Sequence, residues 1–273
     1  MKLEDVCAVV TGGASGIGRA LAERFAAEGA RGIVVADLDE EWAVRVAEGV
    51  GGLGLACDVA DPGQVAALVA TAEAAFGPVD VFCSNAGYSD PAPGQLGQSP
   101  DAWRRIVDVN LLAHVWAAQA VVPGMVERGR GYLLQTVSSA ALITGPSGPG
   151  YTLTKHGALG FAEWLTLNYG HLGVRVSCLC PNAVYTGMMG RSPDDRATRP
   201  PPDLEGLLGD VLMPEDVAAL VVEAMDEERF LILPHPRVGE SFVRKATDYD
   251  GWLDGTRSRL RRMRQSFDDP PRD

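Results

Sequence analysis

Seven short runs of apolar, largely β-branched residues recur along the chain, and the first six are each followed by a longer stretch with helical spacing. The runs are VCAVVT (6–11), GIVVAD (32–37), GLACDV (54–59), VDVFCSN (79–85), GYLLQTVS (131–138), VRVSCLC (174–180) and RFLILP (229–234). Helical period follows up to Gly29 and then over 39–48, 62–76, 101–127, 150–171 and 214–225. A strand wet on one face alternates polar and apolar residues; these runs do not, so both of their faces are covered. Such alternation with helices predicts one α/β domain, a doubly wound, seven-stranded parallel sheet with helices on both faces. A Pro/Gly/Asp-rich stretch (190–210) breaks the rhythm, but no internal repeat or second boundary appears. Residues 1–236 are therefore expected to form the domain, and 237–273 a helical extension (around 240–264) with a disordered DDPPRD end.

The turn between the first run and the first helix reads TGGASGIG (11–18). Gly12, Gly16 and Gly18 there let the backbone turn tightly and approach a pyrophosphate, which rests on the helix N-terminus. The spacing is Gly-x3-Gly-x-Gly, with no GK[ST], which excludes a nucleoside triphosphatase loop. Asp37 ends the second run, 19 residues after Gly18. A carboxylate at that point accepts from the adenosine ribose hydroxyls of a dinucleotide.

Other classes are disfavoured by what the chain carries. Its net charge of −12 repels phosphates, so no nucleic-acid partner is expected. No apolar run reaches the ~18 residues of a membrane span, and the N-terminus shows no signal-peptide pattern. Five cysteines (7, 57, 83, 178, 180) sit in apolar runs without a CxxC, which reads as reduced core residues of a cytoplasmic protein. Four scattered histidines (114, 156, 171, 235) offer no metal-binding spacing, so no metal is expected.

Taken in order, the motifs resemble those of the short-chain dehydrogenase/reductase family over about residues 4–234. TGGASGIG matches the family's TGxxxGxG, CDV (57–59) its adenine-facing stretch, and NAG (85–87) follows the fourth strand. Asn110 lies in VDVNLLA, Ser138 stands 13 residues before the Tyr151 of YTLTK, and PNAVYTGM (181–188) is similar to PGxVxTxM. The resemblance implies a Rossmann-like fold and NAD held by Gly12, Ser15, Gly16, Ile17, Gly18, Asp37, Leu38, Asp58, Val59, Asn85, Ala86, Gly87, Tyr151, Lys155, Pro181, Val184 and Thr186. It also implies a catalytic set of Asn110, Ser138, Tyr151 and Lys155. In it Tyr151 exchanges a proton, Ser138 (or, failing it, Ser139) bonds the substrate oxygen, and Asn110 holds a water that connects Lys155 to solvent. On sequence alone Asn110 reads equally well as a residue that kinks its helix. Asn182 departs from the family's glycine, as do Leu153, Thr154 and Ala141 from its usual small residues.

Lys155 is one of three lysines among 24 basic residues. Roughly 0.07 Tyr-x3-Lys pairs are expected by chance in such a composition. Positions i and i+4 share a helix face, and a nearby ammonium is expected to lower a phenol's pKa from its usual value near 10. An ammonium also donates to ribose hydroxyls in a way that a planar guanidinium does not. The implied reaction is NAD(H)-dependent hydride transfer between nicotinamide and a secondary alcohol or its ketone, with a neutral, hydrophobic substrate. The alternative on the same fold is a catalytically silent NAD sensor. Asp37, followed by Asp39, Glu40 and Glu41, favours NAD over NADP. The substrate wall is expected from the segment after Thr186, the loop YSDPAPGQL (88–96), Leu142, Ile143 and Tyr185. The surplus of apolar residues in 101–127 and 150–171 suggests a homotetramer or homodimer.

Overall fold

The computed structural model describes residues 1–89, 96–145, 147–195, 199–202, 204 and 209–268. Its strands are β1 (Cys7–Thr11), β2 (Gly32–Asp37), β3 (Leu53–Ala56), β4 (Val81–Ser84), β5 (Gly131–Thr136), β6 (Val174–Leu179) and β7 (Leu231–Ile232). All pair in parallel, in the order β3-β2-β1-β4-β5-β6-β7. The helices are α1 (Gly16–Ala27), α2 (Glu40–Gly49), α3 (Pro62–Phe76), α4 (Pro100–Val107), α5 (Ala113–Arg128), α6 (Pro149–Tyr169), α7 (Pro214–Asp226), α8 (Pro236–Thr247) and α9 (Tyr249–Asp268). The fold class expected from the sequence is the one observed. Strands β3, β4 and β7 are shorter than their apolar runs.

Alternation along each strand divides the core into two layers. Leu133 packs with Phe82, Met125 and Leu165 on the face covered by α3, α5 and α6. Its neighbours Tyr132 and Leu134 pack with Leu21, Phe25 and Met225 on the face covered by α1 and α7. Each such fully buried side chain contributes about 1.5–3 kcal/mol. At the N-terminal end of β4, buried Asp80 accepts from Cys7 N (3.0 Å) and from Arg31 (3.1 Å) and Arg130 (2.7 Å). That cluster fixes the end of the sheet opposite the cleft.

Two helical expectations change. The helix expected over 101–127 is interrupted by a π-helical turn, Asp108–Leu112, that separates α4 from α5. The continuous rod Pro100–Arg128 is long and apolar enough to cross a membrane by length and composition, and half of its most apolar window is buried inside this fold. The extension forms two helices rather than one over 240–264. Asp248 leaves helical geometry (φ −144°, ψ 80°), and its carboxylate accepts from Gly251 N (3.0 Å) to start α9. The residues expected to be a disordered end, apart from Asp268, lie outside those described.

Candidate active site

A cleft of about 930 Å³ opens above the C-terminal ends of the strands, where the order reverses between β1 and β4. Open α/β sheets bind ligands at such switch points, because the two flanking loops diverge there. Tyr151 and Lys155 enter from the first turns of α6, and Ser138 from the turn after β5. All three line the cleft. The Ser138 hydroxyl is hydrogen-bonded to the Tyr151 phenol. Ser138 Oγ also accepts from Ala140 N (3.1 Å), which orients it. Ser139, the alternative serine, donates instead to Asn182 Oδ1 (3.1 Å).

Lys155 is buried; its Nζ donates to Thr136 O (3.0 Å) and lies 5.6 Å from the Tyr151 ring centroid. Burial pushes the Lys155 pKa down to about 8. The expected depression of the tyrosine is not what this geometry produces. Burial raises the Tyr151 pKa above its usual value, and the hydrogen bond with Ser138 only opposes that rise.

Asn110 sits in the π-turn, fully buried, and does not line the cleft. Its Oδ1 accepts from Tyr88 N (3.0 Å) and its Nδ2 donates to Tyr88 O (2.7 Å), so its amide fixes the loop after NAG. The helix is distorted at this residue, as the kink reading expects. A Cβ on Gly87 would stand 3.2 Å from Asn110 Oδ1 and 3.5 Å from Lys155 Nζ, so this glycine lets the two approach.

The expected cofactor residues, Gly18 excepted, line the same cleft. Gly12 and Gly16 have positive φ (63° and 54°), which favours glycine. A Cβ on Gly18 would lie 2.1 Å from Gly12 O and 2.6 Å from Asn85 Nδ2, so Gly18 packs α1 against the loop instead of facing the cleft. Asn85 ties the loop to β4 by donating to Thr11 O (3.0 Å) and Gly12 O (3.3 Å). Asp37 Oδ2 accepts from Ala14 N (3.0 Å). Arg19 turns to Glu23 (2.7 Å) and Pro193 O (3.1 Å). These residues fit NAD: a backbone cradle without side chains, then a carboxylate at the end of β2.

The family model described as short chain dehydrogenase matches residues 6–197. The chain belongs to the short-chain dehydrogenase family. It is 40% identical over 240 residues to 1-deoxy-11-beta-hydroxypentalenate dehydrogenase of Streptomyces exfoliatus, covering 85% of this chain and 84% of that protein. It is 34% identical over 244 residues to (+)-borneol dehydrogenase 1 of Salvia officinalis, covering 84% and 90%. A short chain dehydrogenase/reductase from Burkholderia phymatum, solved in complex with NAD, superposes with a TM-score of 0.80 at 29% identity, over 92% of this chain and 96% of that one. The chain is thus an NAD(H)-dependent oxidoreductase of a secondary alcohol or ketone. The silent-sensor alternative finds no support among these relatives.

Several residues of this dehydrogenase's cleft escaped the sequence reading. Arg105 grips Asp58 with both terminal nitrogens (2.9 and 3.1 Å), and Asp58 also accepts from Ala60 N (3.0 Å). Burial alone would raise the Asp58 pKa, but Arg105 and the Ala60 N–H hold it below its usual value. Ala102, Arg105, Ile106 and Val109 form one cleft-lining stripe, and their spacing of three and four was the available signal. The substrate wall also differs from expectation. Leu142 is buried in the core, and buried Tyr185 donates its hydroxyl to Asp195 (3.0 Å), so neither lines the cleft. Ile143 does not line it either, whereas Tyr88, Met188 and Met189, from the two expected segments, do, and Val137 joins them. Of the loop 88–96, residues 90–95 lie outside those described, and Leu96 is exposed.

Proposed function

We propose that this dehydrogenase acts on a neutral, largely hydrophobic secondary alcohol, or the corresponding ketone, with Tyr151 as the acid/base. The observation that carries this reading is the convergence of the Tyr151 phenol, its hydrogen-bonded partner Ser138 and the Lys155 ammonium in one cleft. The nicotinamide, when bound, donates or accepts the hydride. In reduction neutral Tyr151 delivers a proton to the substrate oxygen, and in oxidation its tyrosinate takes the hydroxyl proton. Ser138 bonds the same oxygen and so fixes which carbon faces the cofactor. Lys155 would hold the ribose hydroxyls of the bound cofactor and return a proton to Tyr151 after each reduction, while Asn110 fixes the Tyr88 loop. With NAD bound, Asp37 would hold the adenosine ribose, Asp58 would meet the adenine, and Pro181, Val184 and Thr186 would hold the carboxamide end.

The apolar wall supports a neutral substrate: among the described cleft residues the only arginine, Arg105, is committed to Asp58. Relatives named for hydroxypentalenate and borneol point the same way. The test is NADH formation from panels of steroid, terpenoid, aliphatic and aryl secondary alcohols; turnover confined to charged hydroxy acids would overturn the substrate class. Leu153, Trp164 and Leu167 lie exposed along α6 and support assembly as a homodimer or homotetramer. Light scattering that returned the mass of a single chain at micromolar concentration would refute that assembly. We assign the enzyme to the cytoplasm on its five free, buried cysteines. Recovery of the protein in an oxidising compartment would refute that.

A further inference from the structure

Lys245, in α8, is nearly fully buried, and its Nζ donates to Leu142 O (2.8 Å). The ammonium also lies 5.5 Å from the Tyr249 ring centroid and 5.2 Å from that of Trp252, so α9 closes over it. Leu142 ends the 3-10 turn Ser139–Ala141, whose first residue follows Ser138. The front of that turn is gripped as well. Ser139 N donates to Pro181 O (2.8 Å), and Ser139 Oγ to Asn182 Oδ1 (3.1 Å). Asn182 is itself held by His235, the residue that leads into α8. His235 Nδ1 accepts from Asn182 N (3.1 Å), and its Nε2–H donates to Ala183 O (3.1 Å). One imidazole thus fixes the N–H and the carbonyl of consecutive residues in the segment that lines the cleft.

We propose that the C-terminal extension, together with the His235 that leads into it, is a positioning element for Ser138, with Lys245 holding the rear of its turn and His235 the front. The extension touches neither the phenol nor the cleft at these two residues; it acts by restricting where the Ser138 hydroxyl points. Seen this way, Asn182 in place of the family's glycine supplies a side-chain amide that joins Ser139 to the grip of His235. The inference rests on the role given above to Ser138.

The experiment is a double-mutant cycle in the full-length enzyme: Ser138→Ala, Lys245→Met and the pair, with kcat/KM for an alcohol, the NADH Kd and the melting temperature measured for each. A buried hydrogen bond from a charged donor sets the scale, so Lys245→Met should lower kcat/KM about tenfold while leaving the NADH Kd unchanged. In the Ser138→Ala background the same substitution should cost less than about twofold, because residues that act through one another are not additive. A tenfold loss that persists without the Ser138 hydroxyl would show that Lys245 only stabilises the fold, and the proposal would fall. So would a Lys245→Met enzyme with unchanged kcat/KM. If Lys245→Met does not fold, Trp252→Leu keeps the ammonium but removes one ring above it. Its smaller loss, about threefold on the scale of a cation–π contact, must vanish in the same background or the proposal fails. Full activity in Ser138→Ala would overturn the reading of the site and this inference with it, whereas an impaired Ser138→Ala with additive losses overturns the inference alone.

Discussion

The two sides of the cleft are built on different principles. On the nucleotide side, everything converges on the bare backbone of one loop: Gly18 lies under the Gly12 carbonyl, the Asn85 amide donates to that carbonyl, and the Asp37 carboxylate accepts from Ala14 N. On the substrate side, side chains hold loops: Tyr185 to Asp195, Ser139 to Asn182, His235 to Asn182 and Ala183. The first arrangement tolerates almost no change of residue, because its contacts are set by the absence of a Cβ. The second can be rebuilt by exchanging polar partners. A constant cofactor and a variable substrate demand that division.

The comparison can be tested at several points. The largest effect is expected where the two sides meet. Tyr151→Phe should lower kcat by ~10²–10⁴, the range of lost acid/base catalysis, with the NADH Kd unchanged. Near-normal turnover in stopped-flow would remove Tyr151 from the mechanism. Next comes Asp37: wild type should prefer NAD over NADP by ~10²–10³ in kcat/KM, the scale of a like charge set against a 2′-phosphate. Asp37→Ala should erode this by weakening NAD, not by much improving NADP; equal use of both cofactors by wild type would show that the carboxylate does not face the ribose. Gly18→Ala forces a methyl group to within 2.1 Å of a carbonyl oxygen. Overpacking of this kind costs about 1–3 kcal/mol, so the NADH Kd should rise roughly 5- to 150-fold in a fluorescence titration. An unchanged Kd would mean that the nucleotide side is as adaptable as the other.

The smallest effect is one of pH. Burial raises the Tyr151 pKa, so the neutral phenol dominates at pH 7 and tyrosinate grows about tenfold per pH unit below that pKa. Oxidation, which needs tyrosinate, should therefore accelerate toward alkaline pH, while reduction, which needs the phenol, should not. Lys155 loses its charge around its pKa of about 8, so the alkaline rise should be shallower above that point. A flat pH–rate profile for oxidation would contradict this ordering.

What was legible in the sequence is what short-range pattern encodes. The seven strands, the glycine turn, Asp37 and the i, i+4 pair Tyr151/Lys155 are each written in a few consecutive residues. Distant partnerships were not. Arg105 on α4 meets Asp58 after β3, and His235 meets Asn182, across separations that no local spacing announces. The π-turn at Asp108–Leu112 escaped because one extra residue in a turn scarcely disturbs an apolar stripe. The break at Asp248 was readable in principle, since Asp followed three residues later by Gly251 is a capping arrangement. Tyr185 was misplaced because an apolar ring near the site suggested a wall, whereas its hydroxyl found Asp195. The direction of the Tyr151 shift also depended on something invisible in sequence, namely how deeply the phenol is enclosed.

The strand order carries a consequence for how the molecule comes into being. β1 lies inside the sheet, paired with β2 on one side and β4 on the other. During synthesis β1, β2 and β3 can associate as soon as they emerge, but one flank of β1 stays an open edge until residues 81–84 arrive. The crevice does not exist before then, because its second wall begins with Asn85. The amino terminus is also clasped late, since Met1 N and Lys2 bind Met225 O and Asp226 at the far end of α7. Closing contacts between segments more than 200 residues apart is slow, so the chain must protect the open flank of an interior strand while it waits. For this protein the nascent edge of β1 is a place where wrong pairing between chains can start.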